Sequence, residues 1–492
     1  MADTESTEEG GVATAERTLL EQIVYEGGMA RDESQAEHAK KLIGEFADQI
    51  LSEEMTVSAD IVAMVNARIA RIDELLSAQL NEIMHHPDFQ ALEARWRGLN
   101  HLVMNSETGE SLKIRVLPTN KQDLLKDLEK AVEFDQSGLF KKVYEDEYGT
   151  FGGHPFSVMV GDYEFGRHPQ DMELLERVAS VAAAAHTPFI AAPSPGLFDM
   201  ESFTQLGNPR DLKKVFESTE LIKWRSFRQS DDSRYVALVL PRILLRLPYG
   251  PDTKPVEGFE FREATDGRDH SKYLWGNAAY ALAERITAAV SRYQWPAAIR
   301  GVESGGLVEG LPTHTFKTDE GDIALKCPTE IAITDRREKE LDDLGFITLC
   351  HCKGTDYSAF FGGATTQKPK VYNTDQANAN AKISTVLPYV LAASRFSHYL
   401  KSMMRDKVGG FMTAGGVEQF LNTWISQYVI MDDAAPAHLK AEHPLRDARV
   451  DVVEVPGRPG VYQATVFIRP HFQLEELSAS MRLVAELPPP AS

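Results

Sequence analysis

Residues 448–487 read ARVDVVEVPGRPGVYQATVFIRPHFQLEELSASMRLVAEL, and two runs within them alternate between apolar and polar side chains. Period two over 462–468, and again over 481–487, is the pattern of strands that bury one face of a sheet. PGRPG at 456–460 supplies the fixed and positive φ angles that a hairpin turn needs. Because a bare strand edge is a template for pairing, each strand needs a neighbour, in its own chain or in another one.

The composition is typical of a soluble globular protein with a sizeable core. Of 492 residues, 43% are hydrophobic and 25% are charged. The 73 acidic and 52 basic residues give a net charge of −21, which argues against binding a nucleic-acid backbone or an anionic membrane surface. Cys327, Cys350 and Cys352 do not make a disulfide framework, and the polar N-terminus lacks the features of a signal peptide. No apolar run approaches the ~20 residues of a transmembrane helix, so we expect a cytoplasmic protein.

The N-terminal part predicts helices. Behind an acidic leader, one face of a short helix carries Leu19, Leu20, Ile23 and Val24. This helix either docks on its own domain or is presented to the groove of a partner. A longer helix begins after Ser58, and its apolar residues recur at intervals of four and three: Ile61, Val65, Ile69, Ile72, Leu76, Leu80 and Ile83. That spacing is a coiled-coil-like seam.

A second helix with the same spacing follows His86-Pro87, and its apolar stripe is Phe89, Leu92, Trp96, Leu99 and Val103. The two helices form a predicted αα-hairpin over 58–104. Periodicity does not decide whether they pack on each other or on a separate chain.

From residue 111 onward, strands alternate with helices. The predicted strands include LKIRVLP (112–118), FSVMVGDYEF (156–165), TPFIAA (187–192) and FITLCHC (346–352). The predicted helices include 272–295, 376–406 and 417–430. The fold class is therefore α/β or α+β, with a helical N-terminal portion.

A search for catalytic motifs finds little. The chain has neither a GxxxxGK[ST] phosphate loop nor a GxSxG nucleophile elbow. In Cys350-His351-Cys352 only the two cysteines share a side of the strand, so a buried strand is the better interpretation than a metal clip. We read His85-His86 as a helix cap before Pro87. An enzyme is the weaker hypothesis, and we predict no cofactor, no metal and no catalytic residue.

Arginines are concentrated in one aromatic-rich segment, where they predict internal ion pairs or a subunit contact: Arg225, Arg228, Arg234, Arg242 and Arg246.

Ten stretches in collinear order resemble one family, the large subunit of the bacterial type VI secretion contractile sheath (TssC/VipB). They include HPDFQALEARWRGLNHLV (86–103), WRSFRQSDDSRYVALVLPRILLRLPYG (224–250), GFITLCHCKGTDYSAFFG (345–362) and RPHFQLEELSASMRLVAELP (469–488). The resemblance covers essentially the whole chain. It implies a C-terminal part similar in fold to phage tail-sheath proteins.

The resemblance also implies partners. The large subunit pairs with a small sheath subunit, TssB/VipA, in an obligate heterodimer. The heterodimers stack into a helical sheath of hexameric symmetry around a tube of Hcp. This sheath grows on a baseplate, contracts to drive the tube into a target cell, and is taken apart by the AAA+ unfoldase ClpV. These properties place the protein in the bacterial cytoplasm, without nucleic acid, membrane insertion or bound nucleotide.

On this basis four parts are expected. Residues 1–30 would be a flexible leader whose helix (Leu19, Leu20, Ile23, Val24) binds the unfoldase. Residues 31–110 would dock the small subunit through the seam from Ile61 to Ile83. Residues 111–375 would be a middle α/β sheath domain, and 376–492 a C-terminal sheath domain. In the last part the hairpin at 448–469 would pair within its own domain, and 480–487 would add a strand to a neighbouring subunit through Met481, Leu483, Val484, Ala485 and Leu487.

Two alternatives remain from the residues alone. One is the sheath protein of another phage-tail-like contractile device. The other, weaker one is a cytoplasmic α/β enzyme.

Overall fold

The protein is described by a computed structural model over residues 24, 30, 32–51, 61–318, 320–410, 412–457, 460–471 and 473. Two compact units divide the chain: residues 1–79 with 257–261, and residues 80–256 with 262–492. Helices and strands are mixed throughout the larger unit, which confirms the predicted fold class.

The α-helices of the described residues, in chain order, are α1 Glu33–Leu51, α2 Ile61–Met84, α3 Pro87–Met104, α4 Lys121–Lys130, α5 Gly138–Phe140, α6 Pro169–Ala185, α7 Leu212–Phe216, α8 Ile222–Gln229, α9 Ala279–Tyr293, α10 Asp335–Asp343, α11 Asp375–Ile383, α12 Leu387–Asp406, α13 Ala414–Ser426 and α14 Ala437–Glu442. A π-helix, Lys141–Tyr148, continues α5. Short 3-10 turns occupy Phe134–Gln136, Pro195–Phe198, Phe203–Gly207, Thr219–Leu221, Asp232–Tyr235 and His270–Lys272.

The strands are β1 Met159–Phe165, β2 Phe189–Pro193, β3 Val236–Leu240, β4 Ile243–Leu244, β5 Trp275–Gly276, β6 Leu307–Val308, β7 His314–Lys317, β8 Ile323–Lys326, β9 Ile347–His351, β10 Ser358–Phe360, β11 Leu445–Glu454 and β12 Tyr462–Pro470.

In the smaller unit, α1 carries a short apolar face. Asp32 precedes the helix, and its carboxylate accepts a hydrogen bond from the backbone N–H of Gln35 at 2.8 Å. Val24, which is helical and fully buried, packs with Ala36 and Ala39 of α1. A contact this small stabilises only weakly, because buried area sets the size of the hydrophobic term.

A six-stranded sheet is the centre of the larger unit, in the order β1-β2-β3-β9-β10-β6. The first four strands are parallel, and β10 runs antiparallel to both β9 and β6. Consecutive residues of β3 enter different apolar clusters: Leu238 packs with α6 and α8, whereas Val239 packs with α9 and α12. Helices therefore cover both faces, which explains why these strands are continuously apolar.

The C-terminal hairpin is confirmed as a pair within its own domain. β11 and β12 are antiparallel, with Val450 opposite Val466 and Val452 opposite Ala464. The alternating side chains that the sequence assigned to one face, among them Val466 and Ile468, pack against the cluster that contains Leu421 of α13.

Two predicted elements differ from the structure. Residues 112–118 form no strand: Ile114 packs beside Leu102, whereas Val116 and Leu117 are exposed. The alternation of apolar and polar side chains in this segment was misleading, because a strand also needs a neighbouring strand to complete its backbone hydrogen bonds. The helix predicted over 376–406 is two helices, and Pro388 lies in the first turn of the second, where its missing N–H costs nothing.

Candidate functional site

The predicted seam on α2 is a row of large apolar side chains that solvent reaches. Its described members are Val65, Ile69, Ile72, Leu76 and Ile83, with exposed fractions of 38–54%, and Leu80, which is half-buried. Ile61 begins the helix. All seven lie on one continuous helix of 24 residues, as their spacing predicted. A monomer rarely exposes so many large apolar groups in one stripe, so this face has the character of an interaction surface.

The next helix, α3, belongs to the larger unit and is held in place there by ion pairs. Arg246 is almost fully buried, and its guanidinium donates two hydrogen bonds to the Glu263 carboxylate, at 2.6 and 3.0 Å. The same guanidinium reaches Glu93 of α3 at 2.8 Å. Arg97, one turn further along α3, donates to Glu93 at 2.6 Å and to the Tyr249 hydroxyl at 3.1 Å. Pairing of this kind is directional, so it fixes which face of α3 points inward.

The helices α3 and α9 pack with their backbones close together. A Cβ built on Gly98 would lie 2.5 Å from two ring carbons of Tyr280. Gly98 and Leu102 are the buried residues of α3, and Leu102 packs with Tyr280 and Ala283. Glycine is therefore required at this crossing.

The connection between α2 and α3 uses the predicted cap. His86 is the N-cap of α3, and its Nδ1 accepts a hydrogen bond from the backbone N–H of Asp88 at 3.3 Å. Pro87 occupies the first helical position, where its ring fits. The interpretation of His86 as a cap is confirmed.

The sequence predicted either internal ion pairs or a subunit contact for the arginine-rich segment, and the structure supports internal pairing. Arg242 makes a two-pronged contact with Glu164, at 2.6 and 2.8 Å. Arg228 is buried and donates to the carbonyl oxygens of Thr366 and Asp343, and burial lowers the pKa of its guanidinium to about 10. Arg225 donates to the backbone carbonyls of Phe216 and Ser218. These side chains hold the fold together.

The C-terminal ribbon leaves one strand edge open. β11 and β12 form a sheet of two strands, and no strand among the described residues pairs with the outer edge of β12. The ribbon buries one face on α13, while Phe467 on the other face is exposed.

Several predicted site residues lie outside the described part of the chain. Leu19, Leu20 and Ile23 of the leader helix are among them, and so are the residues of the inter-subunit strand, Met481, Leu483, Val484, Ala485 and Leu487. Val24 is the one residue of the predicted leader helix that is described, and it is buried against Ala36 and Ala39 of α1.

The cysteines differ in their exposure to solvent. Cys350 is buried in β9, where burial raises the pKa of its thiol to about 12, and Cys352 is exposed. Within the ranges that the structure describes, no group of three His, Cys, Asp or Glu side chains is arranged to hold a metal ion. Over the same ranges no helix is both long and apolar enough to cross a membrane.

Two family models match most of the chain. Residues 66–367 match the VipB tail sheath N-terminal domain (EvpB/VC_A0108), and residues 376–487 match the VipB tail sheath gpW/gp25-like domain.

The chain belongs to the VipB family of tail sheath proteins.

Over 491 residues it is 48% identical to the type VI secretion system sheath protein TssC1 of Pseudomonas aeruginosa, and the alignment covers 99% of this chain and 98% of that protein. This VipB-family chain is therefore a structural sheath subunit of the type VI secretion kind, and the predicted family is confirmed. Among solved structures, the baseplate of the anti-feeding prophage matches with 12% identity and a TM-score of 0.36, over 76% of this chain and 84% of that one. The contracted PVC sheath complex matches with 9% identity and a TM-score of 0.35, over 62% and 68%.

Sequence reasoning missed the buried side of α3. Arg246 and Glu263 are far in sequence from Glu93 of α3, so the network that joins them gives no periodic signal. The sequence did contain a signal, since charged residues recur every three to four positions on the face of α3 opposite its apolar stripe. A charged helix face normally points to water, however, so this pattern did not predict burial.

Proposed function

We propose that this VipB-family chain pairs with a small sheath subunit of the TssB/VipA type through the apolar seam of α2, in an obligate heterodimer. The exposure of that seam carries the proposal. An apolar stripe with intervals of three and four residues fits knobs-into-holes packing with a second helix. Burying it would contribute about 25 cal/mol for each Å² of apolar surface removed from water.

The heterodimers then polymerise into a helical sheath of hexameric symmetry around an Hcp tube, starting from a baseplate in the bacterial cytoplasm. Contraction draws on the free-energy difference between two packings of the same subunits. The chain itself binds no nucleotide and catalyses no reaction. The unfoldase ClpV acts on the leader helix that contains Leu19, Leu20, Ile23 and Val24. The family membership and the 48% sequence identity with TssC1 support this sequence of events.

Co-expression with a tagged small subunit tests the pairing. The double variant Ile69→Ser/Leu76→Ser removes two seam residues, and we expect at least a tenfold loss of co-purified large subunit. The matched control is Val62→Ser/Leu75→Ser, because both residues are exposed on the same helix but lie off the seam. Equal recovery of the two double variants would contradict docking at the seam.

The wild-type chain expressed by itself is a second test. We expect aggregation, because the seam is apolar, and rescue by co-expression of the small subunit. Electron microscopy of the co-expressed pair should show tubes. A well-behaved monomer by size-exclusion chromatography would argue against an obligate heterodimer.

A further inference from the structure

The short hairpin formed by β7 and β8 is attached to the larger unit by side chains. Among the described residues, its two strands pair with each other and with no other strand. Its outer face is open to solvent, since Ile323 is 75% exposed and Leu325 is exposed as well. Its inner face lies against the segment 266–275, where Phe316 packs so closely on Gly267 that a Cβ there would overlap the ring. The side chains of this inner face therefore decide where the hairpin lies.

A buried lysine is at the centre of that contact. Lys326 is 6% exposed, and its ammonium donates a hydrogen bond to the Gly267 carbonyl at 2.9 Å. Its Nζ also lies 3.2 Å from Nε2 of His270 and 4.8 Å from the centroid of the Tyr273 ring. His314, opposite Lys326 on β7, shares a hydrogen bond of 2.9 Å between its Nδ1 and the Tyr273 hydroxyl. We call Lys326, His270, Tyr273 and His314 the hairpin cluster.

The contact between Lys326 and His270 requires a neutral imidazole. An ammonium group has only donors, so Nε2 has to accept and the ring proton is on Nδ1. A protonated ring has no acceptor, and it would bring a second positive charge to 3.2 Å from Nζ. The ring is held in this position, because it stacks on Trp275, whose indole N–H donates to the His270 carbonyl at 2.8 Å. Protonation of His270 therefore breaks its contact with Lys326.

We propose that the hairpin cluster is an acid-sensitive latch, which holds the β7–β8 hairpin on 266–275 while His270 is neutral and releases it when His270 is protonated. Within the described part of the chain, no acceptor lies within hydrogen-bond reach of the buried Nδ1 of His270, so a charged ring would lack a hydrogen-bonded counterion there. Release of the hairpin would also move its exposed apolar face, Ile323 and Leu325.

The charges around His270 set the pH range in which the latch opens. They are Lys326 of β8, His314 of β7, and Glu263, Asp266, Asp269 and Lys272 of the neighbouring segment. Burial and then the charge of Lys326 lower the pKa of His270 below its ordinary value of 6.5, and the same causes lower the pKa of His314. The open hairpin therefore binds protons more readily than the closed one, and the free energy that keeps it closed falls as the pH drops through 6.5. Hydrogen bonds lower the pKa of Asp266 and of Asp269 below 3.8, so these two carboxylates stay ionised throughout this range.

Hydrogen–deuterium exchange of the full-length chain at pH 7.5 and pH 5.5 tests the latch, with labelling times scaled for the intrinsic effect of pH on exchange. After that correction, the amides of residues 314–326 in the wild type should exchange about fivefold faster at pH 5.5, because protonation favours the open hairpin. Equal corrected rates at the two pH values would overturn the proposal, and this outcome does not depend on any variant.

Variants identify the group that titrates. In His270→Gln the amide oxygen can still accept from Lys326, but the side chain does not ionise. We expect wild-type protection at pH 7.5 and a pH response of about twofold or less, with the remainder coming from His314. The matched control is His154→Gln, because His154 is exposed and its Nε2 lies 3.5 Å from Nζ of Lys113; it should keep the full response. A wild-type response in His270→Gln would refute the latch.

Lys326→Met tests the other half of the contact. Without the ammonium, the hairpin loses its bond to the Gly267 carbonyl, so residues 314–326 should exchange faster than in the wild type already at pH 7.5. The difference between the two pH values should shrink, because a protonated His270 no longer meets a second cation. Exchange identical to the wild type at both pH values would show that the hairpin is held by other contacts and would overturn the proposal.

Discussion

Gly98 is the residue where the packing of α3 tolerates least change. A Cβ there would come within 2.5 Å of the Tyr280 ring, so Gly98→Ala must push α3 and α9 apart or turn the ring out of a buried site. Overpacking of this kind typically costs about 1–3 kcal/mol. We expect a loss of that size in the free energy of unfolding, measured by denaturant titration. The control is Gly109→Ala, where no atom lies within 4 Å and the φ angle is ordinary; equal stability of the two variants would contradict this packing.

Glu338 is the residue from which we expect a pH effect. Burial raises the pKa of its carboxyl to about 7, and the neighbouring Asp342 adds to the shift. A carboxyl with a raised pKa in the folded state binds more protons than in the unfolded chain between its ordinary value of 4.5 and about 7, so its contribution to stability falls as the pH rises through that window.

Glu338→Gln should therefore raise the unfolding temperature more at pH 8 than at pH 5. Differential scanning fluorimetry of the variant and the wild type, each at both pH values, measures this. His398, whose pKa burial lowers to about 4, titrates in the opposite sense, and comparing variant with wild type at each pH removes its contribution. A shift in unfolding temperature that is independent of pH would refute the assignment.

At the scale of elements, the sequence predicted what depends on local periodicity. The β11–β12 hairpin, the length of α2 and the cap at His86 all follow from side-chain spacing or turn chemistry. The orientation of α3 could not be predicted this way. Its apolar stripe is clear in the sequence, yet the direction in which it faces depends on Arg246 and Glu263, which approach α3 only in the folded chain. Residues 112–118 show the converse. Their apolar and polar side chains alternate, but no strand among the described residues lies beside them to pair with their backbone.

Arg246 is the side chain that fixes α3 most firmly. Arg246→Met leaves the buried Glu263 carboxylate without its guanidinium partner, whereas Glu93 keeps its pair with Arg97, and breaking a buried pair from one side typically costs about 3–5 kcal/mol. We expect a loss of this size in unfolding free energy, and a partial recovery in Arg246→Met/Glu263→Gln, which removes the uncompensated charge. Arg71→Met is the control, because its pair with Glu74 is exposed and contributes at most about 1 kcal/mol. Equal losses for the two single variants would count against the network.

At the scale of the whole molecule, variants of the predicted leader helix test how the sheath is taken apart. Leu20→Ala/Ile23→Ala removes two apolar residues from its predicted binding face and should weaken binding of the unfoldase in a pull-down while leaving tube assembly intact. Val24 packs on α1, so Val24→Ala should in addition weaken this contact. Thr18→Ala is the control, as it leaves the apolar face complete. Unchanged affinity of the double variant would remove the leader helix from the proposed function.

Deletion of the predicted C-terminal strand tests which contacts join subunits into a sheath. The outer edge of β12 has no strand partner among the described residues, and a strand from a neighbouring subunit could add its main-chain hydrogen bonds to an edge of this kind. Deleting residues 481–492 should leave the core around β11, β12 and α13 folded, and the chain should still co-purify with the small subunit. Electron micrographs should then show isolated heterodimers and no tubes. Met481→Ile/Leu483→Val preserves the alternating pattern and should assemble normally, because the pairing depends on the main chain and on apolar side chains at alternate positions. Tubes of normal length from the deleted chain would show that the inter-subunit bonds lie elsewhere.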